Sequence, residues 1–407
     1  MIARPRVYVR LSLFVGCLAA GAAAQQLTER QALELLRESP HYRELQAQVE
    51  VRRAETRLGT LYPNPSANAS FEGAGRTDFY VVEQPLALNG RLGLLRQAGA
   101  SAVAAAEAEA DHGVRQIEAR LRSAFYRLAY AQERRAAIRD SISRLTEMVE
   151  ILRARENEGE GSRFDRLRAE REVVERETEV SDTGALIAQY QADLAGFLGN
   201  RVGPEAIVAE GQLTPTYTLP PVGDALAAAL EARSDYRIGR ERLEQLRLEA
   251  EAADRLRIPN PVVSGGFKRA AVGDRTANGP VFSVSIDLPV FNKGQVEKRL
   301  AEAEADRTRV RRQVLENQIL AEVRSAYDSL RLRREIAEAY RQQSQNRAAE
   351  LRGIADVGYR EGELGILELL DSYRVEQQAR VRLLELQATA KLAEVEFDRA
   401  VAKELLP

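Results

Sequence analysis

The sequence predicts a mainly α-helical fold with a small β part, in which one structural plan is written twice along the chain. Three observations predict it. Four short motifs recur in the same order at an offset of about 200 residues. Two proline-free stretches are too long for helices that do not pair. Brief runs of period-two alternation lie between proline signals. The composition agrees, since 44% apolar and 29% charged residues with no tryptophan and 6% aromatics describe long helices better than a compact core. Charge is balanced at 59 basic against 61 acidic residues, a pattern of solvated helix faces rather than of a basic surface for nucleic acid.

The chain opens with Arg4, Arg6 and Arg10, then an apolar run over 11–20 and the small residues Ala22, Ala23 and Ala24 before Gln25. Residues 1–24 therefore read as an export signal peptide. Cys17 offers a second reading, lipid attachment at that cysteine, although Phe14-Val15-Gly16 makes a poor lipobox. No other cysteine exists, which excludes disulfides and thiolate metal sites. His41 and His112 are far apart and read as surface residues. Beyond the leader no apolar run reaches the ~20 residues of a spanning helix. A membrane crossing, if this chain makes one, must use strands.

The first repeat covers 25–200. It opens with a helix that Tyr62-Pro63-Asn64-Pro65 stops, because proline lacks the amide proton and restricts its predecessor. A β-hairpin over about 64–86 follows. Ala67, Ala69 and Phe71 alternate with Ser66, Asn68, Ser70 and Glu72, the hairpin turns at 73–76, and the facing of the second run, 79–85, stays open. Asn89-Gly90 then starts a helix over 91–157, which at about 1.5 Å per residue would extend roughly 100 Å. Glu158-Gly159-Glu160 ends it, and a returning helix occupies 164–198.

A linker over 201–222, carrying Pro204, Pro215, Pro220 and Pro221, separates the repeats. The second repeat, 223–407, restates the plan. Ile258-Pro259-Asn260-Pro261 closes its first helix, a hairpin spans about 260–290 with its turn near 273–279, and Lys293-Gly294 opens a long helix over 295–357. Arg324-Ser325-Ala326 repeats Arg122-Ser123-Ala124. Glu361-Gly362-Glu363 repeats the earlier glycine turn before a returning helix over 365–403. The strand with Phe282, Val284 and Ile286 alternating with Ser283, Ser285 and Asp287 is the cleanest in the chain, and Val263, Gly265 and Phe267 mark its partner.

Four short strands cannot close a barrel in lipid, where open edges are not tolerated and known barrels begin at eight strands. Association is forced. Three chains would supply a 12-stranded transmembrane β-barrel with Phe282, Val284 and Ile286 facing lipid. The paired helices would continue it as a trimeric α-barrel tunnel. The competing reading is a periplasmic coiled-coil adaptor or structural protein with exposed hairpins. An enzyme is not expected, since no nucleophile elbow, phosphate loop or paired-histidine motif stands out. No catalytic, cofactor or metal residues are assigned. The single methionine beyond the leader, Met148, and the scattered histidines make no metal relay.

Over nearly all of the chain beyond the leader, this order of elements resembles the TolC-like outer-membrane efflux family. The most specific match is Gly358-Tyr359-Arg360-Glu361-Gly362-Glu363-Leu364-Gly365-Ile366-Leu367-Glu368-Leu369-Leu370-Asp371, which is similar to the family's glycine-tyrosine turn and helix start. The resemblance implies a passive exit duct in the outer membrane, working with a periplasmic adaptor protein and an inner-membrane transporter of the RND type. It places Tyr359 at a periplasmic aperture, Glu368 and Asp371 in acidic rings, and Asp165 at the matching first-repeat position. Gly159, Gly161, Gly358 and Gly362 form the tip turns that meet the adaptor. Leu364 stands where the family commonly has a basic partner for the tyrosine, which leaves Arg163 or Arg360 for that part. The compact proline-bounded hairpins look more like the heavy-metal branch, of the cobalt-zinc-cadmium type, than a multidrug or type I secretion duct.

Overall fold

The computed structural model describes residues 25–73, 76–199, 202–215 and 218–403. The leader 1–24, with Cys17, lies outside the described residues. So do parts of the first hairpin turn and the linker, and residues 404–407. After a short strand β1 (Gln25–Thr28), the elements follow along the chain in two similar series. The first contains α1 (Glu29–Arg37), α2 (Pro40–Leu58), β2 (Ser66–Glu72), β3 (Thr77–Pro85), α3 (Arg91–Asn157) and α4 (Arg163–Phe197). A linker strand β4 (Ile207–Glu210) follows. The second repeat contains α5 (Val222–Ala232), α6 (Ser234–Asp254), β5 (Pro261–Val272), β6 (Arg275–Ile286), α7 (Gln295–Tyr340), α8 (Asn346–Glu361) and α9 (Ile366–Ala400).

Four details differ from the sequence expectation. The first helix of each repeat is two helices, because Pro40 at the N-terminus of α2 denies α1 a continuous ladder and Arg233 turns extended between α5 and α6. The second hairpin turns before Arg275, so 275–279 belong to β6. Gly279 and Pro280 do not break that strand because it is an edge strand within the chain, where proline is tolerated. The second long helix runs to Glu361 and passes through a π-helical turn at Arg341–Gln345. The linker contributes β4, which pairs in parallel with β1.

The helices form a wall one layer deep. Toward the strands, α3 packs between α2 and α6, and α6 packs on α7. Toward the glycine turns, α3 packs between α4 and α9, and α9 packs on α7 and α8. A belt of β1, α1 and β4 covers the middle of α3 and the C-terminal end of α4, burying Leu33, Leu36, Leu121, Phe125, Leu128, Leu194 and Ile207. In the second repeat α5 packs on α7 and α9, burying Ala229, Ile319, Val323 and Phe397. Among the described residues, no helix is long and apolar enough to cross a membrane.

The strands form one antiparallel sheet in the order β2-β3-β5-β6. Its register settles the facing of β3. Ala67, Val82, Gly265 and Phe282 form one row across the sheet, and Ala69, Tyr80, Phe267 and Pro280 form the next. Phe282, Val284 and Ile286 therefore share a face with Val263, Phe267, Tyr80 and Val82. Phe71 packs edge-on to Tyr80, and Tyr80 stacks on Phe267 at 5.0 Å between ring centroids. Phe282 keeps 81% of its surface exposed, although it is among the most apolar side chains of the sheet. The other face carries Asn68, Ser70 and Glu83, and the Ser264 and Ser283 hydroxyls meet at 2.6 Å.

Candidate functional site

Both long hairpins end in the same backbone motif. In the first, Gly159 has φ +80°, its N–H donates to the Glu156 carbonyl, and the Glu160 N–H donates to the Arg155 carbonyl. In the second, Gly362 has φ +78°, its N–H donates to Tyr359, and the Glu363 N–H donates to Gly358. These are paired Schellman caps, in which a left-handed residue lets the last carbonyls find donors. The other two turn glycines are fixed by crowding. A Cβ on Gly161 would lie 2.8 Å from the Glu156 amide nitrogen, and one on Gly358 would lie 2.8 Å from the Leu364 side chain.

Behind the turns, Leu145, Val149, Leu152, Ala169, Ala355, Ile366, Leu369 and Leu370 form a small core that joins the two hairpins, with Leu364, Tyr359 and Tyr373 packed against it. This core explains the leucine at 364, which closes the turn by packing instead of by charge. It also brings Tyr359 of the second repeat beside Asp165 of the first. Burial pushes the Tyr359 hydroxyl above its ordinary value, the Asp165 carboxylate pushes it further, and Arg155 opposes them. The basic side chain at this tyrosine is Arg155, whose guanidinium lies 5.8 Å from the ring centroid.

Glu368 and Asp371 stand apart from that pair, exposed on the first turns of α9. The Glu368 carboxylate folds back over Gly365, with Oε2 2.9 Å from where a Cβ there would sit. Asp371 accepts from Arg374 at 2.6 Å. Asp165 and Glu368 are both third residues of their helices, where a carboxylate also meets the positive end of the helix dipole.

Several residues near the tips went unnoticed in the sequence. The Tyr373 hydroxyl donates to Asp356 at 3.0 Å, and burial with that carboxylate raises it to about 12. Arg352 pairs with Glu376 at 3.2 Å, and Arg144 of α3 approaches the same carboxylate at 3.8 Å. In the first hairpin Arg166 pairs with Glu156 at 2.5 Å and with Glu170 at 2.8 Å. A signal for them existed, because antiparallel helices bring together residues equally far from the turn. Glu156 and Arg166 flank Gly161 in this way, as Asp356 and Tyr373 flank Leu364 and Gly365. Among the described residues no group of three or more His, Cys, Asp or Glu could hold a metal.

No family model matches the chain. It is 25% identical over 349 residues to the cobalt-zinc-cadmium resistance protein CzcC of Cupriavidus metallidurans, covering 84% of this chain and 82% of that protein. Its fold is similar to that of the outer-membrane channel OprN, with a TM-score of 0.74 at 21% identity over 92% of this chain and 90% of that one. It is equally similar to the open state of the MtrE outer membrane channel of Neisseria gonorrhoeae, with a TM-score of 0.75 at 20% identity over 92% and 88% of the two chains. The fold is thus that of the TolC-like outer-membrane efflux channels, in agreement with the resemblance carried by the sequence.

Proposed function

We propose that three copies of this chain close into an outer-membrane duct, a passive exit in a tripartite efflux system and not an enzyme. One observation carries this reading: the chain ends on two unfinished edges that match. Among the described residues, β2, α2 and α4 lack an outer neighbour on one side, and β6, α7 and α8 lack one on the other. Each helical edge bears an exposed apolar stripe at spacings of three, four, seven and ten, all sums of three and four. Val51 and Leu58 mark it on α2, Phe164, Leu167 and Val174 on α4, and Val296, Leu300, Val310 and Val314 on α7. That spacing is the seam of a coiled coil. The sheet has an even number of strands, so β6 of one copy meets β2 of the next in antiparallel sense.

Two copies would make eight strands, a barrel whose interior side chains fill. Three copies make twelve and are the smallest closure that leaves an aqueous bore. The apolar sheet face would then meet lipid, the serine-lined face would meet water, and the helices would prolong the bore into the periplasm. The tip turns at Gly159, Gly161, Gly358 and Gly362 would meet the periplasmic adaptor, behind which stands an inner-membrane transporter of the RND type. Asp165, Tyr359, Glu368 and Asp371 would ring the aperture. The similarity to CzcC and the carboxylates at the tips favour divalent metal cations as cargo over multidrug substrates.

Carboxylates repeated three times around a narrow opening concentrate cations and repel anions. Single-channel recording in planar bilayers tests this. The reversal potential in a salt gradient should report cation preference for the native protein. Asp165→Asn, Glu368→Gln and Asp371→Asn together should remove most of it without closing the channel. Unchanged selectivity would mean that these carboxylates serve only their helix ends.

A further inference from the structure

The outward face of the sheet is nearly free of charge. From the register, its strand residues are Ala67, Ala69 and Phe71 on β2, Asp78, Tyr80, Val82 and Gln84 on β3, the odd positions 261–271 on β5 and the even positions 276–286 on β6. Asp78 and Arg269 are the only charged side chains among them, and they lie directly opposite each other. Arg76 joins them from the turn, because its carbonyl accepts from the Ala271 N–H at 3.2 Å. Its backbone is thus about 7 Å from that of Arg269 across the ladder, and its φ of +44° ends the strand there.

All three lie at the turn end: Asp78 and Arg269 share a row with Phe71, next beyond the Tyr80 and Phe267 row, and Arg76 lies further out. Below them residues 280–286 rise about 24 Å along the strand, or about 18 Å once tilted, and the exposed Leu288, Val290 and Phe291 continue the apolar surface. An arginine facing lipid costs about 2–4 kcal/mol at mid-bilayer and about 0–1 kcal/mol at its rim. Two exposed arginines at the top of the aromatic ladder and just beyond it are therefore at the level of the headgroups. Neither makes an ion pair within 4.0 Å among the described residues. A guanidinium pair at this height and spacing suits a tetrahedral phosphate, which each arginine can grip through two N–H groups.

We propose that Arg76 and Arg269 bind the phosphate of an anionic lipid at the outer rim of the barrel, with Asp78 limiting the affinity. This rests on the reading of the sheet as a membrane barrel. The test uses the purified full chain in detergent with lipid A bearing both phosphates, compared with the same lipid after both phosphates are removed. The native protein should prefer the phosphorylated lipid by about tenfold, and Arg76→Ala with Arg269→Ala should abolish the preference. Arg269→Lys should keep part of it, Asp78→Asn should increase it, and inorganic phosphate at the same concentration should not compete. A heat-sensitive trimer on gels shows that each variant is assembled. An assembled native trimer that binds both lipids equally, or a double alanine variant that keeps the preference, overturns the proposal. Competition by inorganic phosphate would also overturn it, by showing a free-anion site. A native protein that forms no trimer and needs no detergent defeats the barrel reading itself.

Discussion

Glu29 lies in the first turn of α1, where Arg122 and Tyr126 of α3 both donate to its carboxylate, and Arg122 reaches on to Asp398 of α9 at 3.0 Å. Arg122 and Asp398 are almost fully buried, so this group ties the belt to two helices of the wall where water cannot compete. Burial pushes the Glu29 carboxyl up, but Arg122 and the Tyr126 hydroxyl outweigh it and hold it below the ordinary carboxylate range. A carboxyl lowered by folding stabilises the native state above its unfolded value, near 4.5, and loses that contribution as pH falls through the folded value. The thermal midpoint of the purified protein should therefore drop steeply below about pH 4.5. Glu29→Gln should be less stable at neutral pH, by about 3 kcal/mol, and its midpoint should respond less to acid. Equal acid sensitivity in both proteins would show that other carboxylates govern the response. None of this was legible in the sequence, because Glu29, Arg122 and Asp398 are far apart along the chain and each looks like any surface charge on a helix.

At the scale of elements, local chemistry was readable and long-range pairing was not. Gly90 and the Glu158-Gly159 turn bound α3 where the sequence placed its ends, since a left-handed glycine is a signal carried by the residue itself. The split at Pro40 was equally local, but the apolar spacing on both sides masked it. β4 escaped notice because four residues next to prolines acquire strand geometry only by pairing with β1, whose sequence lies far away. The π-helical turn at Arg341–Gln345 has neither glycine nor proline to announce it. That Asp165, Glu368 and Asp371 sit at helix starts was legible, but Arg155 was not, because it reaches Tyr359 only once the two hairpins pack together. The caps themselves are open to test. Gly362→Ala places a Cβ in the left-handed region at a cost of about 1–2 kcal/mol. Amide exchange over 358–364 should accelerate in that variant while the mid-helix amides stay protected. Gly353→Ala, where a Cβ meets open space inside α8, should leave the same amides unchanged or slower. Equal exchange in the two variants would mean that the tip does not depend on its left-handed cap.

Scaling up, every feature of one edge of the chain is repeated at each junction of a closed ring, so a modest change on a seam is multiplied by the number of copies. Val310 on α7 and Val174 on α4 are 59% and 60% exposed in the single chain, and each lies within a stripe that has no partner there. If neighbouring copies cover these stripes, Val310→Glu or Val174→Glu buries a charge at three junctions at once. Each such charge costs several kcal/mol unless a partner is found. Either variant should fold, because neither residue belongs to the buried clusters of the chain, yet should run as a monomer, whereas the proposed assembly requires the native protein to run as a heat-sensitive trimer. Val51→Glu on α2 should act in the same direction. The control is Ile151→Glu on α3, which is also exposed, at 58%, but lies on a helix flanked on both sides by α4 and α9 of the same chain. It should weaken the trimer less than Val310→Glu. Analytical ultracentrifugation in detergent separates the outcomes, and trimers of native stability in all the seam variants would show that the stripes on α2, α4 and α7 do not join the copies.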